Sequence, residues 1–196
     1  LDTSRGLGDV YKRQDLGDGD NVLKADVTVG NVKTGSGDDV INLSGGHEGV
    51  SFYFNSETAK DGSWSYSYAY LDIRNWNESQ VRAGSGDDTI TLTGTVESKT
   101  YDYSWYSGYS GNGKGYGRIY GEDGNDTIDA SKTSAAYELN GGAGDDIIYG
   151  AQEYTQYING GTGDDTITSS KIQLASNEWT SIDGGDGNDT ITSSTT

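Results

Sequence analysis

Residues 140–150 read NGGAGDDIIYG, residues 159–169 read NGGTGDDTITS and residues 183–193 read DGGDGNDTITS. The same pattern recurs upstream as KTGSGDDVINL (33–43), RAGSGDDTITL (82–92) and YGEDGNDTIDA (120–130), with a weaker copy, DLGDGDNVLKA, at 15–25. Position one of each turn is taken as the residue aligned with Gly141; the fourth positions are then Gly19, Gly37, Gly86, Gly124, Gly144, Gly163 and Gly187. Their successive spacings are 18, 49, 38, 20, 19 and 24. The underlying step is about 19 residues; 38 reads as twice that, and 49 and 24 carry insertions.

Two aliphatic columns share this register. One lies four residues after the aligned glycine: Leu23, Ile41, Ile90, Ile128, Ile148, Ile167 and Ile191. The other lies five residues before it: Val32, Val81, Ile119, Leu139, Ile158 and Ile182. Around each aliphatic residue the pattern alternates polar, apolar, polar, as in Thr166-Ile167-Thr168, which is the mark of a short half-buried strand. A step of about 19 residues holds two short strands and two turns, so each step is one coil of a solenoid. Coils stacked at the strand spacing of roughly 4.8 Å bury together what none could bury alone. The fold expected is all-β: a right-handed parallel β-roll over 15–196, with two aromatic-rich hairpin insertions at about 44–80 and 95–117. Residues 1–14 are left outside it. The stretch DTSRGLGDVYKRQ (2–14) fits nothing downstream and resembles translated adaptor sequence, and the chain as a whole reads as a piece of a longer protein.

Composition sets the limits of function. The formal charge is −18, which argues against nucleic acid and anionic membranes as partners, because both demand a basic face. No apolar run is long enough to span a bilayer, so membrane insertion is not expected. With no cysteine there is neither a disulfide nor a thiolate metal site. Low apolar content (31%) and high charge also describe disordered chains, but here the glycines, aspartates and aliphatics recur in register rather than scattered.

The sixth turn position is Asp39, Asp88, Asp126, Asp146, Asp165 and Asp189, with Asn21 in the weak copy. Stacking places these carboxylates in a column about 5 Å apart, where neighbours repel by roughly 3 kcal/mol at an effective dielectric near 20. A domain holds about 5–15 kcal/mol of stability in all, so an uncompensated ladder is untenable and a cation is expected between coils. Turn carbonyls with carboxylates make a hard, all-oxygen site of adjustable geometry, which suits Ca²⁺ better than Mg²⁺ or a transition metal. Ordinary Asp-Gly turns need no ion, but neither do they need an aligned aspartate column.

GGAGDDIIY (141–149), GGTGDDTIT (160–168) and GGDGNDTIT (184–192) resemble the nonapeptide G-G-x-G-x-D-x-U-x of the RTX, or haemolysin-type calcium-binding, repeat family. The resemblance implies a β-roll with several Ca²⁺ ions between successive turns. It further implies that Asp39, Asp88, Asp126, Asp146, Asp165 and Asp189 supply side-chain oxygens. The turns carrying Gly35, Gly37, Gly84, Gly86, Gly121, Gly124, Gly142, Gly144, Gly161, Gly163, Gly185 and Gly187 would supply carbonyls. Secretion to the cell surface or medium, with folding triggered by extracellular calcium, follows from the same resemblance. Departures from the pattern are Leu16, Thr34 and Ala83 at position one, Glu122 at position two and Asn21 at position six. The motif appears once per coil, so calcium is expected on one edge, about three to five ions, with the opposite edge turned by uncharged residues.

The insertions read as two hairpins. The first runs GVSFYFN, a turn around Asp61-Gly62, then SWSYSYAYLDI, with Trp64, Tyr66, Tyr68 and Tyr70 on one face. The second places Tyr101, Tyr103 and Trp105 before a glycine-rich turn. These aromatics either shield the sheet or form a platform for a glycan or a cell surface, with Asp72, Arg74, Asn75 and Asn77 as polar company. No catalytic constellation stands out: His47 is the only histidine, and no G-x-S-x-G elbow occurs. An enzymatic role is not expected of these residues, although a secreted hydrolase could carry such a roll. Ice binding fits poorly, because the outward third and fifth turn positions are irregular and rich in Asp. The expected role is a calcium-folded structural module, acting as spacer, folding element or adhesive stalk.

Overall fold

The computed structural model describes residues 13–47, 50–74, 79–94, 97–169 and 181–193. Among them the secondary structure is strands joined by turns, with no helix. The chain enters through β1 (Arg13–Asp15), β2 (Val22–Ala25), β3 (Asn31–Lys33) and β4 (Val40–Leu43). A first excursion forms β5 (Val50–Ala59) and β6 (Ser65–Ile73); β7 (Gln80–Ser85) and β8 (Thr89–Gly94) complete that coil. A second excursion forms β9 (Glu97–Asp102) and β10 (Tyr106–Lys114). Four further coil portions follow as β11 (Tyr116–Asp123), β12 (Thr127–Thr133), β13 (Ala135–Ala143), β14 (Ile147–Tyr149), β15 (Tyr154–Thr162), β16 (Thr166–Ser169), β17 (Ser181–Asp186) and β18 (Thr190–Ser193).

The coils stack into two facing seven-stranded parallel sheets, ordered β1-β3-β7-β11-β13-β15-β17 and β2-β4-β8-β12-β14-β16-β18. This is a parallel β-roll. Both aliphatic columns are in strict register: Val32, Val81, Ile119, Leu139, Ile158 and Ile182 pair in succession across one sheet. Leu23, Ile41, Ile90, Ile128, Ile148, Ile167 and Ile191 do so across the other. The columns meet in one continuous core, in which Ile90, Ile119, Ile128, Leu139 and Ile148 are fully buried.

Four features differ from the sequence expectation. Arg13 and Gln14 belong to the roll, since β1 pairs with β3 through Arg13–Asn31 and Gln14–Val32; residues 1–12 lie outside the described residues. The 38-residue spacing is a single coil, not two: Ile90 pairs directly with Ile128, and the extra length is the second excursion. That excursion turns at Tyr103–Trp105, while the glycine-rich stretch expected to turn runs as strand β10. At Gly108 only bare backbone fits: a Cβ there would lie 2.2 Å from the Ser56 carbonyl oxygen and 3.0 Å from the Tyr101 ring. Finally, the edge opposite the motif turns is not free of charge, since Asp26 and Glu153 lie in its turns.

The two hairpins are not separate. β5 pairs antiparallel with β10, giving one four-stranded sheet of order β6-β5-β10-β9. His47 and Tyr116 hold its root against the roll. The His47 backbone N–H donates to the Gly115 carbonyl at 2.9 Å, and its Nδ1 accepts the Gly117 N–H at 2.8 Å. The Tyr116 hydroxyl lies 2.8 Å from both the Leu43 and Thr93 carbonyls, between which it shares its proton. Complete burial pushes the His47 pKa down to about 3, so the only histidine is a neutral strut.

Packing should be graded along the roll. Ile148 is fully buried, whereas Ile191 in the last coil is 46% exposed. At saturating calcium, Ile148→Ala should cost about 2–5 kcal/mol by urea denaturation, and Ile191→Ala less than about half as much.

Candidate metal centre

Every motif turn joins a strand of one sheet to a strand of the other on the same edge, so the sixth-position side chains stack. Asp39, Asp88, Asp126, Asp146 and Asp165 are each only 1% exposed. Each carboxylate reaches back one coil with Oδ1. The Asn21 and Asp39 N–H groups donate to Asp39 and Asp88 at 2.7 Å each, and Asp88 and Asp126 donate to Asp126 and Asp146 at 2.8 and 2.7 Å. Asp146 donates to Asp165 at 2.8 Å and Asp165 to Asp189 at 3.0 Å. Oδ1 is therefore satisfied by backbone. Oδ2 is not: in Asp39, Asp88, Asp126, Asp146 and Asp165 it is buried without a hydrogen-bond partner. A buried, half-satisfied carboxylate is costly unless a cation completes it.

The first-position glycines show what that oxygen lies against. A Cβ on Gly121 would lie 2.1 Å from Asp126 Oδ2 and 2.5 Å from the Gly141 carbonyl oxygen of the next coil. On Gly141 it would lie 2.1 Å from Asp146 Oδ2 and 2.6 Å from the Gly160 carbonyl. On Gly160 it would lie 2.2 Å from Asp165 Oδ2 and 2.3 Å from the Gly184 carbonyl. Each missing side chain thus leaves a cradle in which a carboxylate oxygen and a carbonyl oxygen of adjacent coils converge beside the glycine Cα, and paired hard oxygens of this kind suit Ca²⁺. Gly184 has its own half, with Asp189 Oδ2 at 2.2 Å. In the earlier coils Thr34 and Ala83 occupy the slot with real side chains, and the Thr34 hydroxyl donates to the Ala83 carbonyl there. Among the described residues no three acidic or imidazole groups converge on one point, so carbonyls must share the coordination.

The other glycines singled out in the sequence serve the stacking itself. A Cβ on Gly144, whose φ is +130°, would lie 2.0 Å from the Gly124 carbonyl; Gly86, Gly124, Gly163 and Gly187 meet the preceding coil in the same way. Gly84, Gly142, Gly161 and Gly185 do so at position two, while Gly35 and Gly37 close on the Gly17–Asp20 turn. Sequence reasoning singled out Gly121 but passed over Gly141, Gly160 and Gly184, although all four fall at position one. A second ladder runs outside the first: fifth-position side chains accept from the next coil's N–H, as in Asn125 to Asp87, Asp145 to Asn125 and Asp164 to Asp145, at 2.7–2.8 Å.

Burial is the main cause that pushes the Asp88, Asp126 and Asp146 carboxyls up to about 7, with neighbouring carboxylates adding to it and the donated N–H opposing; Asp165 moves the same way. These residues and turns define a roll with an acidic, oxygen-lined edge built to be completed by a hard cation. Residues 115–132, 138–154, 152–170 and 181–194 match the family model of the RTX calcium-binding nonapeptide repeat, in four copies. These four segments match the RTX calcium-binding repeat, and they are the coils with glycine at position one. No curated protein and no solved structure matches the chain.

Two outcomes follow from this geometry. A carboxyl near 7 when folded and near 3.9 when unfolded binds more protons in the folded state across that window. The calcium-free roll should thus be most stable below about pH 4 to 5 as regards these groups and lose that stability as pH rises through about 7. Circular dichroism in chelator should show more β signal at pH 5 than at pH 8. Separately, Glu122 sits at position two with φ +83°, the only described non-glycine residue at positive φ. Its carboxylate pairs with Arg82 at 2.5 Å, both partners part-exposed, which offsets little of the strain. Glu122→Gly should raise stability by about 1 kcal/mol in calcium-saturated urea melts.

Proposed function

We propose that this chain is a non-catalytic module of an exported protein, folded by calcium, taking one ion in each of three cradles: Gly121–Asp126–Gly141, Gly141–Asp146–Gly160 and Gly160–Asp165–Gly184. The observation that carries this reading is the coincidence of orphaned aspartate Oδ2 atoms, facing carbonyls and missing side chains in the coils that match the calcium-binding repeat. Bound Ca²⁺ supplies two positive charges between coils; the protein supplies the carboxylates, the carbonyls and the spacing. Binding and folding are then one equilibrium, because a cradle has two halves from adjacent coils and does not exist in the unfolded chain. Such coupling suits a protein that crosses a membrane unfolded at low cytosolic calcium and meets millimolar calcium outside.

The deciding experiment is a calcium titration followed by far-UV circular dichroism, with magnesium as control, joined to a count of bound calcium after equilibrium dialysis. A coil-to-β transition at about 10⁻⁴–10⁻³ M Ca²⁺, absent with Mg²⁺, is expected. Gly141 has no positive φ, but a Cβ there would lie 2.1 Å from Asp146 Oδ2 and 2.6 Å from the Gly160 carbonyl oxygen, so Gly141→Ala should push these two oxygens apart, remove about one ion per chain and shift the midpoint upward. Full β structure in excess chelator at pH 8, or an unchanged ion count in Gly141→Ala, would sink the reading.

A further inference from the structure

The hairpin sheet carries a feature that the calcium ladder does not use. Strand register puts Trp64 and Tyr66 from the first excursion on the same face as Tyr101 and Tyr106 from the second, since Tyr66 pairs with Glu57, Glu57 with Gly108 and Gly108 with Tyr101. Tyr106 is the hub. Tyr103 stacks on it at 4.8 Å between ring centroids, Trp105 meets it edge-on at 4.4 Å and Trp64 lies 6.1 Å away. The rings are nonetheless open to solvent: Trp105 is 64% exposed, Tyr103 53%, Tyr66 47% and Trp64 39%.

Rigid rings in mutual contact are a surface held ready, and their backbone is cross-linked between the excursions. The Lys60 N–H donates to the Trp105 carbonyl at 3.1 Å, and Lys60 Nζ pairs with Asp102 at 2.6 Å. Polar groups lie between the rings. The Tyr101 hydroxyl is 2.7 Å from Asn55 Oδ1 and 3.0 Å from Glu57 Oε1, and Asn55 Nδ2 is 3.3 Å from the Tyr66 hydroxyl.

We propose that this face, bearing Trp64, Tyr66, Tyr101, Tyr103, Trp105 and Tyr106, is a binding platform for neutral carbohydrate. Sugar rings offer apolar C–H faces to aromatic rings and hydroxyls to in-plane donors and acceptors, and the face supplies both kinds of contact together. Oxygen acceptors with hydroxyl and amide donors fit hydroxyls better than they fit the side chains of an apolar protein partner. The charge of −18 disfavours polyanionic glycans and anionic lipid, which leaves neutral sugars as the occupant. The platform rests on the calcium-built roll in one respect: its two halves spring from consecutive coils, so it assembles only when those coils stack.

The test uses the full chain in millimolar Ca²⁺ on an array of neutral oligosaccharides, with retention on insoluble neutral polysaccharide as a second readout. Wild type should be retained, and the double variant Trp105→Ala, Tyr103→Ala should lose about tenfold or more of that retention while keeping the calcium-induced β signal. Both side chains are more than half exposed, so the double variant should fold as wild type does. The proposal falls if wild type with a normal β signal retains no neutral glycan, or if the double variant binds equally well. It also falls if sedimentation shows the face consumed in a calcium-dependent dimer that the double variant abolishes. Glycan retention that persists with full β signal in chelator would overturn the calcium reading and leave the platform standing, so the two failures are distinguishable.

Discussion

The structure turns on one half-met demand: a buried aspartate whose Oδ1 is satisfied by the neighbouring coil's backbone and whose Oδ2 is not. The Oδ1 bond does structural work without any ion, because it ties coil to coil at 2.7–3.0 Å and fixes the carboxylate's orientation. That same bond aims Oδ2 inward, over the first-position glycine. Backbone geometry thus creates the electrostatic problem and sets the place where a cation solves it. Stacking without an ion accumulates buried charge with every added coil, and stacking with one turns each added carboxylate from a liability into a ligand.

This makes stability local and additive in the manner of solenoids, but with two currencies along the same axis. Toward the N-terminal end the inward slots hold Thr34 and Ala83, and the third inward row is Leu43 and Leu92. Toward the C-terminal end the turn slots become glycine, and the inward row thins through Ala130 to Gly150 and Ser169. Apolar packing is thus richest where the cradles are filled in, and the open cradles lie where packing is thinnest. The gradient gives calcium most leverage over the coils of 115–193.

Much of this was legible because a solenoid writes its fold as a period. Ile41, Ile90 and Ile128 stand at one offset from the aligned glycine whatever is inserted between them, so the columns survive gaps of 49 and 38 residues. What the sequence hid was non-local or steric. The pairing of β5 with β10 joins segments from different coils, and no local pattern encodes it. The stretch Gly108–Gly113 reads as a turn because glycine normally marks one, but here it is a central strand, and at Gly108 the Ser56 carbonyl and the Tyr101 ring close on the bare backbone. The special role of position one needs the next coil's carbonyl to be seen, since a glycine beside an aspartate in one turn gives no hint that its absent Cβ lets oxygens of two coils converge.

The excursions show why a roll is a good carrier for such additions. Each coil's ends are fixed by stacking, so a loop of any length that leaves and returns at the same edge costs closure entropy that grows only slowly with its length. His47 and Tyr116 close that edge with hydrogen bonds to Gly115, Gly117, Leu43 and Thr93, which insulates the core from whatever the hairpin sheet carries. Two loops on consecutive coils emerge one strand spacing apart, close enough to complete each other's sheet. Stacking therefore does to the excursions what it does to the aspartates: it brings together parts that sequence keeps far apart, and it makes their chemistry conditional on the roll.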